Sequence, residues 1–179
     1  MKKLAALILA ICMMAMGAAA SAQVEVDALA QVVRSALDAH ELDYEYDAED
    51  ELFRLTGELE NGMGDVDVTI FLYDDMVSVT VDCPLTFDEA AFADVAVFTT
   101  LVNSEIYYAQ FRVNRELGWV TCRSCNVIEN VMPSEDEIYT LLYMPLGYVD
   151  SYSEGLAAVC AGSASPYEAF EQCQAAQDA

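Results

Sequence analysis

Alternation of apolar and polar positions in the middle of the chain most constrains its fold. Residues 66–72 carry an apolar side chain at every second position, and residues 77–81 repeat the pattern after the turn residues Asp74 and Asp75. A period of two places successive side chains on opposite faces of a β-strand. Together with the extended run 52–56, these segments predict a three-stranded antiparallel meander with one buried face.

Helical periodicity surrounds this meander. Apolar residues spaced three and four apart predict a first helix over residues 27–40. The pattern Ser/Thr-x-x-Glu, which satisfies free amides at a helix start, occurs at residues 86–89 and 134–137 and predicts two further helices. The first of these should begin after Thr86 and end near Asn103.

The C-terminal part contains several helix-boundary signals. Pro145 is expected to end or kink the helix that opens at Ser134, with a continuation over residues 146–161. Gly162 suits a left-handed helix end, and Pro166 suits the first turn of a short last helix. These signals predict a helical C-terminal third.

Two β-rich runs, residues 106–113 and 119–128, lie between the second and third predicted helices and indicate a second hairpin. The resulting order is α-β-β-β-α-β-β-α-α. It predicts a single α+β domain with a five-stranded antiparallel sheet, and we place that domain at residues 27–175.

The N-terminal segment is typical of an export signal. Lys2 and Lys3 precede an apolar run over residues 4–16, and Ala20-Ser21-Ala22 supplies small residues for cleavage. The apolar run is too short for a membrane span. We therefore predict a signal peptide over residues 1–22, a mature chain that begins at Gln23 without a membrane span, and an extracytoplasmic (secreted or periplasmic) location.

Net charge limits the partners. Removal of the predicted signal peptide leaves five Arg, no Lys and 31 acidic residues, a formal charge of −26. Such a charge repels nucleic acid and anionic membranes. We interpret this negative charge as the ordinary property of a solvated surface. The alternative, functional interpretation is attraction of a basic peptide or of cations.

Five cysteines remain after the predicted cleavage, and in an oxidising compartment they tend to pair. Cys160 and Cys173 flank a predicted turn between two helices and form our candidate disulfide. Cys83, at the end of a predicted strand, would pair with either Cys122 or Cys125 and leave the other free.

The CxxC spacing of Cys122 and Cys125 occurs in redox enzymes and zinc sites. It lies here within a predicted strand, where positions three apart face opposite sides, so structural cysteines are the favoured interpretation. His40 is the only histidine, and its place near a predicted helix end favours interaction with the helix dipole over catalysis. We therefore predict no catalytic residues, no cofactor and no metal.

Two compositional features are compatible with a binding function, one for cations and one for a peptide. The acidic run over residues 43–51 lacks the glycine and ligand spacing of a calcium loop, so we interpret it as an exposed edge that could bind cations weakly. Ten tyrosines are spread over predicted sheet and helix faces. Most should be half-buried, and a tyrosine-rich groove that binds a peptide is the functional alternative.

Several local patterns follow one another along residues 27–175. They are Leu42-Asp43-Tyr44-Glu45-Tyr46, the strand 77–81 before a capped helix, Leu101-Val102-Asn103 before Phe111-Arg112-Val113 and Gly118, and the segment 161–169. In this order they resemble the YbjN-like family, whose fold is similar to that of type III secretion chaperones.

The resemblance implies a regulatory or chaperone-like binding role with a protein or peptide partner, because the family has no agreed enzymatic activity. Chaperones of the similar fold pair through a helix and a sheet face, which implies a homodimer. Together with the export signal, this indicates a secreted, non-enzymatic binding domain. An extracytoplasmic enzyme that uses carboxylates or a thiol is the alternative.

Overall fold

The computed structural model describes residues 26–128 and 131–177, so the predicted signal peptide lies outside the described residues. Among the described residues, no helix combines the length and the apolar character needed to cross a membrane. The elements in chain order are α1 (Val26–Ala39), β1 (Glu45–Asp47), β2 (Leu52–Glu58), β3 (Asp65–Tyr73), β4 (Met76–Thr86), α2 (Phe92–Glu105), β5 (Gln110–Asn114), β6 (Trp119–Val127), α3 (Glu135–Cys160) and α4 (Pro166–Gln177).

The antiparallel sheet has six strands rather than the predicted five, in the order β1-β2-β3-β4-β6-β5. The strand that the sequence did not reveal is β1, whose three residues pair with residues 52–54 of β2. Three residues are too few to show alternation, and pairing with β2 gives them their place in the sheet. The predicted meander is confirmed as β2, β3 and β4, and the predicted second hairpin as β5 and β6.

The core lies between the sheet and the helices. Val68, Ile70 and Val79, on neighbouring strands, are each at most 1 % exposed. Helix α3 packs on β4 and β6, α1 packs on α3, and α2 packs on α3 and α4. A Cβ atom on Gly155 of α3 would lie 2.5 Å from Sγ of Cys173, so glycine is what allows α3 and α4 to approach this closely.

Helix α3 does not end at Pro145, one of the two predicted outcomes, but runs on to Cys160, as the predicted continuation over residues 146–161 requires. Proline has no N–H, so the carbonyl of Leu141, four residues earlier, receives no helical hydrogen bond from it. The hydroxyl of Ser124 on β6 donates to that carbonyl at 2.6 Å, and Ser124 is only 2 % exposed. A buried serine of the sheet thus replaces the hydrogen bond that the proline removes.

The capping box of α3 is confirmed. Glu137 N donates to Ser134 Oγ at 3.2 Å, and Ser134 N donates to the Glu137 carboxylate at 2.7 Å. The backbone amide of Ser134, followed by its hydroxyl, lowers the pKa of Glu137. The predicted left-handed helix end is also confirmed, because Gly162 has a φ of +65°.

The predicted capping box at Thr86 is wrong. Thr86 is the last residue of β4, where it pairs with Trp119 beyond a β-bulge. Helix α2 begins only at Phe92, and its N-cap residue Ala91 has no side-chain cap. The local pattern suited a helix start at Thr86, but strand pairing extended β4 through that residue.

Candidate functional site

On the face of the sheet opposite the helices most residues are exposed or half-buried, and Leu52 and Ser78 are buried. This uncovered face consists of every second residue from Leu52 to Glu58, from Asp65 to Tyr73, from Met76 to Asp82, from Gln110 to Asn114 and from Trp119 to Val127. Arg54, Asp67, Asp82, Cys125 and Arg112, on five neighbouring strands, are all exposed.

One end of the uncovered face is apolar. Phe71 stacks on Tyr73 with ring centroids 6.5 Å apart. Tyr73 lies opposite Met76, and Met76 lies opposite Val127. Tyr73 is 41 % exposed and Val127 is 63 % exposed. Contiguous exposed apolar side chains on a sheet are typical of surfaces that bind a partner.

The middle of the uncovered face is acidic. Asp67 and Asp82 lie on neighbouring strands, one position beyond the paired residues Val68 and Val81. Partial burial, followed by the nearby Asp67 carboxylate, raises the pKa of Asp82. The two like charges therefore repel each other at neutral pH.

Arg112 and Arg123 lie on the β5–β6 side of the uncovered face. Arg123 Nε donates to Ser78 Oγ at 2.6 Å. Both arginines line a shallow hollow of about 680 Å³, together with the loop residues Tyr107 and Tyr108. This side of the face therefore presents positive charge beside exposed aromatic rings.

The acidic run over residues 43–51 forms the short strand β1 and the turn after it. The Asp47 carboxylate accepts hydrogen bonds from the amides of Glu49 and Asp50 at 3.1 and 3.2 Å, and pairs with Arg54 at 3.2 Å. The amide of Asp50, followed by the Arg54 side chain, lowers the pKa of Asp47. This carboxylate thus holds the β1–β2 turn, and weak cation binding by the run stays a prediction.

The CxxC cysteines face opposite sides of β6, as predicted. Cys122 is fully buried on the core face, whereas Cys125 is exposed on the uncovered face. Burial raises the pKa of Cys122 to about 12. Burial also raises the pKa of Cys83 far above its ordinary value. Protonated thiols are weak nucleophiles and weak metal ligands.

All five cysteines among the described residues are free thiols. Burial and the nearby Asp88 carboxylate raise the pKa of Cys160. Cys173 instead packs against Gly155, and burial raises its pKa. The pairing of Cys160 with Cys173 stays a prediction, as does the pairing of Cys83 with Cys122 or Cys125.

His40 follows α1, and its ring stacks on Tyr139 of α3 with centroids 3.5 Å apart. This contact joins α1 to the first half of α3. His40 was predicted to interact with the helix dipole. Local sequence does not indicate the stacking, because the partner lies about a hundred residues later in the chain.

The tyrosines are distributed over separate parts of the structure rather than one groove. Tyr44 and Tyr46 pack against the edge of the core, and Tyr152 is buried within it. Tyr107 and Tyr108, in contrast, are 88 % and 68 % exposed beside the hollow on the β5–β6 side. This last pair and Tyr73, at the apolar end of the uncovered face, belong to candidate binding surfaces.

The proximity of Arg112 and Arg123 was not predicted from the sequence. Nothing in two β-rich runs shows which residues lie opposite each other before the register is known. The one available signal was composition. Outside the predicted signal peptide the chain has five arginines and 31 acidic residues, so every arginine could find a carboxylate partner, and an arginine without one is notable.

Comparison with known proteins identifies the class of fold. Neither a scan against protein-family models nor a search of curated proteins finds a match. The crystal structure of YbjN from E. coli, a protein proposed to regulate transcription, matches with a TM-score of 0.56 and 11 % identity over 72 % of this chain and 89 % of that chain. The chain therefore has a YbjN-like fold, as the sequence patterns predicted.

Two complexes are also similar. The ExsC–ExsE complex matches at 12 % identity over 74 % of this chain and 95 % of that chain, with a TM-score of 0.48. The HopA1–SchA chaperone–effector complex matches at 10 % identity over 69 % and 91 %, with a TM-score of 0.43.

Proposed function

We propose that this protein is a non-enzymatic binding domain that holds a segment of a protein partner on its uncovered face. The observation that carries the proposal is the apolar end of that face, where Tyr73 and Val127 remain exposed on strands whose other face is buried. Water contact with apolar side chains costs free energy that a bound partner would recover.

The four buried or half-buried thiols support a binding role over thiol catalysis. Burial raises the pKa values of Cys83, Cys122, Cys160 and Cys173. A catalytic thiol needs the opposite shift, because the thiolate is the nucleophile. The neighbouring carboxylates of Asp67 and Asp82 lie on an exposed strand surface, whereas catalytic groups usually converge in a concave pocket.

The experiment is capture of the partner by wild-type protein and by surface variants. Tyr73→Ser combined with Val127→Ser removes the apolar end of the uncovered face. Tyr167→Ser is the control, because Tyr167 is 63 % exposed on α4, in the helix layer. Mass spectrometry of material captured from the native extracellular fraction should show one partner with wild type and control, and at least about tenfold less with the double variant. Equal capture by all three proteins would contradict the proposal.

The extracytoplasmic location is part of the same proposal and is supported by the pattern that predicts a signal peptide over residues 1–22. N-terminal sequencing of the protein from its native source should begin at Gln23. Retention of residues 1–22 on a cytoplasmic protein would contradict it. We also propose the homodimer that the resemblance implies, and sedimentation equilibrium measures it directly.

A further inference from the structure

The arginines of the described residues fall into two groups. Arg54 and Arg115 each pair with a carboxylate, and Arg34 lies over aromatic rings. Arg112 and Arg123 form no ion pair with any carboxylate of the described residues. In so acidic a chain, two neighbouring arginines without a carboxylate partner form a local reversal of charge.

Strand register places these two arginines side by side. Gln110 of β5 lies opposite Arg123 of β6, and Arg112 lies opposite Thr121. Arg112 and Arg123 are therefore diagonal neighbours on the uncovered face, at a Cα separation of roughly 7–8 Å, within reach of long side chains. One carboxylate placed between them could contact both guanidinium groups.

A chain of hydrogen bonds through the neighbouring strand β4 holds the guanidinium of Arg123 in place. Its Nε donates to Ser78 Oγ, and the Ser78 hydroxyl in turn donates its own proton to the carbonyl of Ser124 at 3.1 Å. Ser78 is fully buried, so this support is shielded from water. The Nη groups of Arg123 form no hydrogen bond within the described part of the chain. A planar guanidinium oriented in this way matches the two oxygens of a carboxylate.

We propose that Arg112 and Arg123 recognise a carboxylate side chain of the partner, so that the segment held on the uncovered face carries an acidic residue beside apolar ones. This inference rests on the proposed function. We expect apolar residues beside the acidic residue of the segment, because Cys125 and Val127 follow Arg123 along β6 toward the apolar end of the uncovered face. The acidic remainder of the protein repels a segment that is acidic throughout, so the acidic residue is an isolated one.

The test uses the purified protein and three probes in an NMR titration. The probes are the blocked peptide acetyl-Val-Glu-Val-amide, its glutamine twin acetyl-Val-Gln-Val-amide, and glutarate. The mature chain has only five arginines, so their Nε–Hε signals can be assigned individually. The glutamate peptide should shift the signals of Arg112 and Arg123, and the glutamine twin should bind at least about fivefold more weakly.

Variants separate a specific site from general electrostatics. Arg112→Gln and Arg123→Gln should each weaken binding of the glutamate peptide by about fivefold or more. Arg54→Gln is the matched control, because it makes the same charge change on the same face, in the same cross-strand row as Arg123, at an arginine already paired with Asp47. It should leave binding unchanged. Circular dichroism of each variant checks that the fold is retained.

Three outcomes would overturn the inference: equal binding of the two peptides, equal loss in Arg54→Gln, or binding of glutarate without binding of the glutamate peptide, which would indicate a small-molecule site. The NMR titration requires no identified partner, so its result is independent of the capture experiment. Undiminished capture of the natural partner by Arg112→Gln combined with Arg123→Gln would also overturn the inference, and would leave the proposed function standing.

Discussion

The two faces of the sheet are built from the same strands but differ in burial and in composition. On β4, Val79 faces the helices and is fully buried, whereas the next residue, Thr80, faces solvent. The core face is almost uniformly apolar. The uncovered face is divided into an apolar end, an acidic middle and a side with two arginines. Burial stabilises the first face, whereas little stability depends on the second, which we propose binds a partner.

The largest expected effect is the difference in stability between a charge introduced on the core face and the same charge introduced on the uncovered face. Val79→Asp places an unpaired carboxylate in the core and should cost about 4 kcal/mol or more of the free energy of unfolding. Thr80→Asp, one residue away and opposite Arg123, should change it by about 1 kcal/mol or less. Urea denaturation measures both. Similar losses in the two variants would contradict the division between the faces.

The second largest expected effect is a difference in thiol reactivity between the two faces. Cys125 on the uncovered face is exposed, whereas burial raises the pKa of Cys122 to about 12. Iodoacetamide at pH 8 should therefore label Cys125 about a hundredfold faster than Cys122 or more, because only the thiolate reacts. Peptide mapping by mass spectrometry follows both sites, and Cys125→Ser is the control for the fast phase. Comparable rates would mean that β6 does not bury Cys122.

A smaller effect tests the hydrogen bond between the core face and α3. Ser124→Ala removes the donor to the Leu141 carbonyl and should cost about 1–3 kcal/mol. In a Pro145→Ala background, residue 145 regains an N–H that can bond this carbonyl, so the cost of Ser124→Ala should fall by half or more. Thermal denaturation of the four proteins completes the cycle. An equal cost in both backgrounds would refute the link to the proline.

The smallest effect concerns pH on the uncovered face. The folded-state pKa of Asp82 lies above its ordinary value, so its contribution to stability is present at low pH and is lost as the pH rises through that pKa. Asp82→Asn should therefore raise stability at pH 7 by about 0.5 kcal/mol at most, and have no effect near pH 3. The gain should shrink in an Asp67→Asn background. A loss of stability at pH 7 would reverse the assigned sign.

Much of the fold could be predicted from local patterns. Alternation over residues 66–72 and 77–81 predicted which side chains are buried, because a strand's period of two is a property of its backbone. The cap at Ser134 and the turn at Gly162 were predicted for the same reason, since each depends on a few adjacent residues. The false helix start at Thr86 marks the limit of local signals, because pairing with a distant strand overrode it.

By itself the sequence determined the order of nearly all the elements, the two-faced character of the strands, the opposed cysteines of β6 and the resemblance to a known fold. Only the tertiary structure decided the sixth strand, the contact of Ser124 with Leu141, and the diagonal placement of Arg112 and Arg123 on one face. Each of these joins residues whose partner depends on strand register or on helix packing. Local patterns carry no information about register, so the arrangement of charge on the uncovered face became visible only in the folded chain.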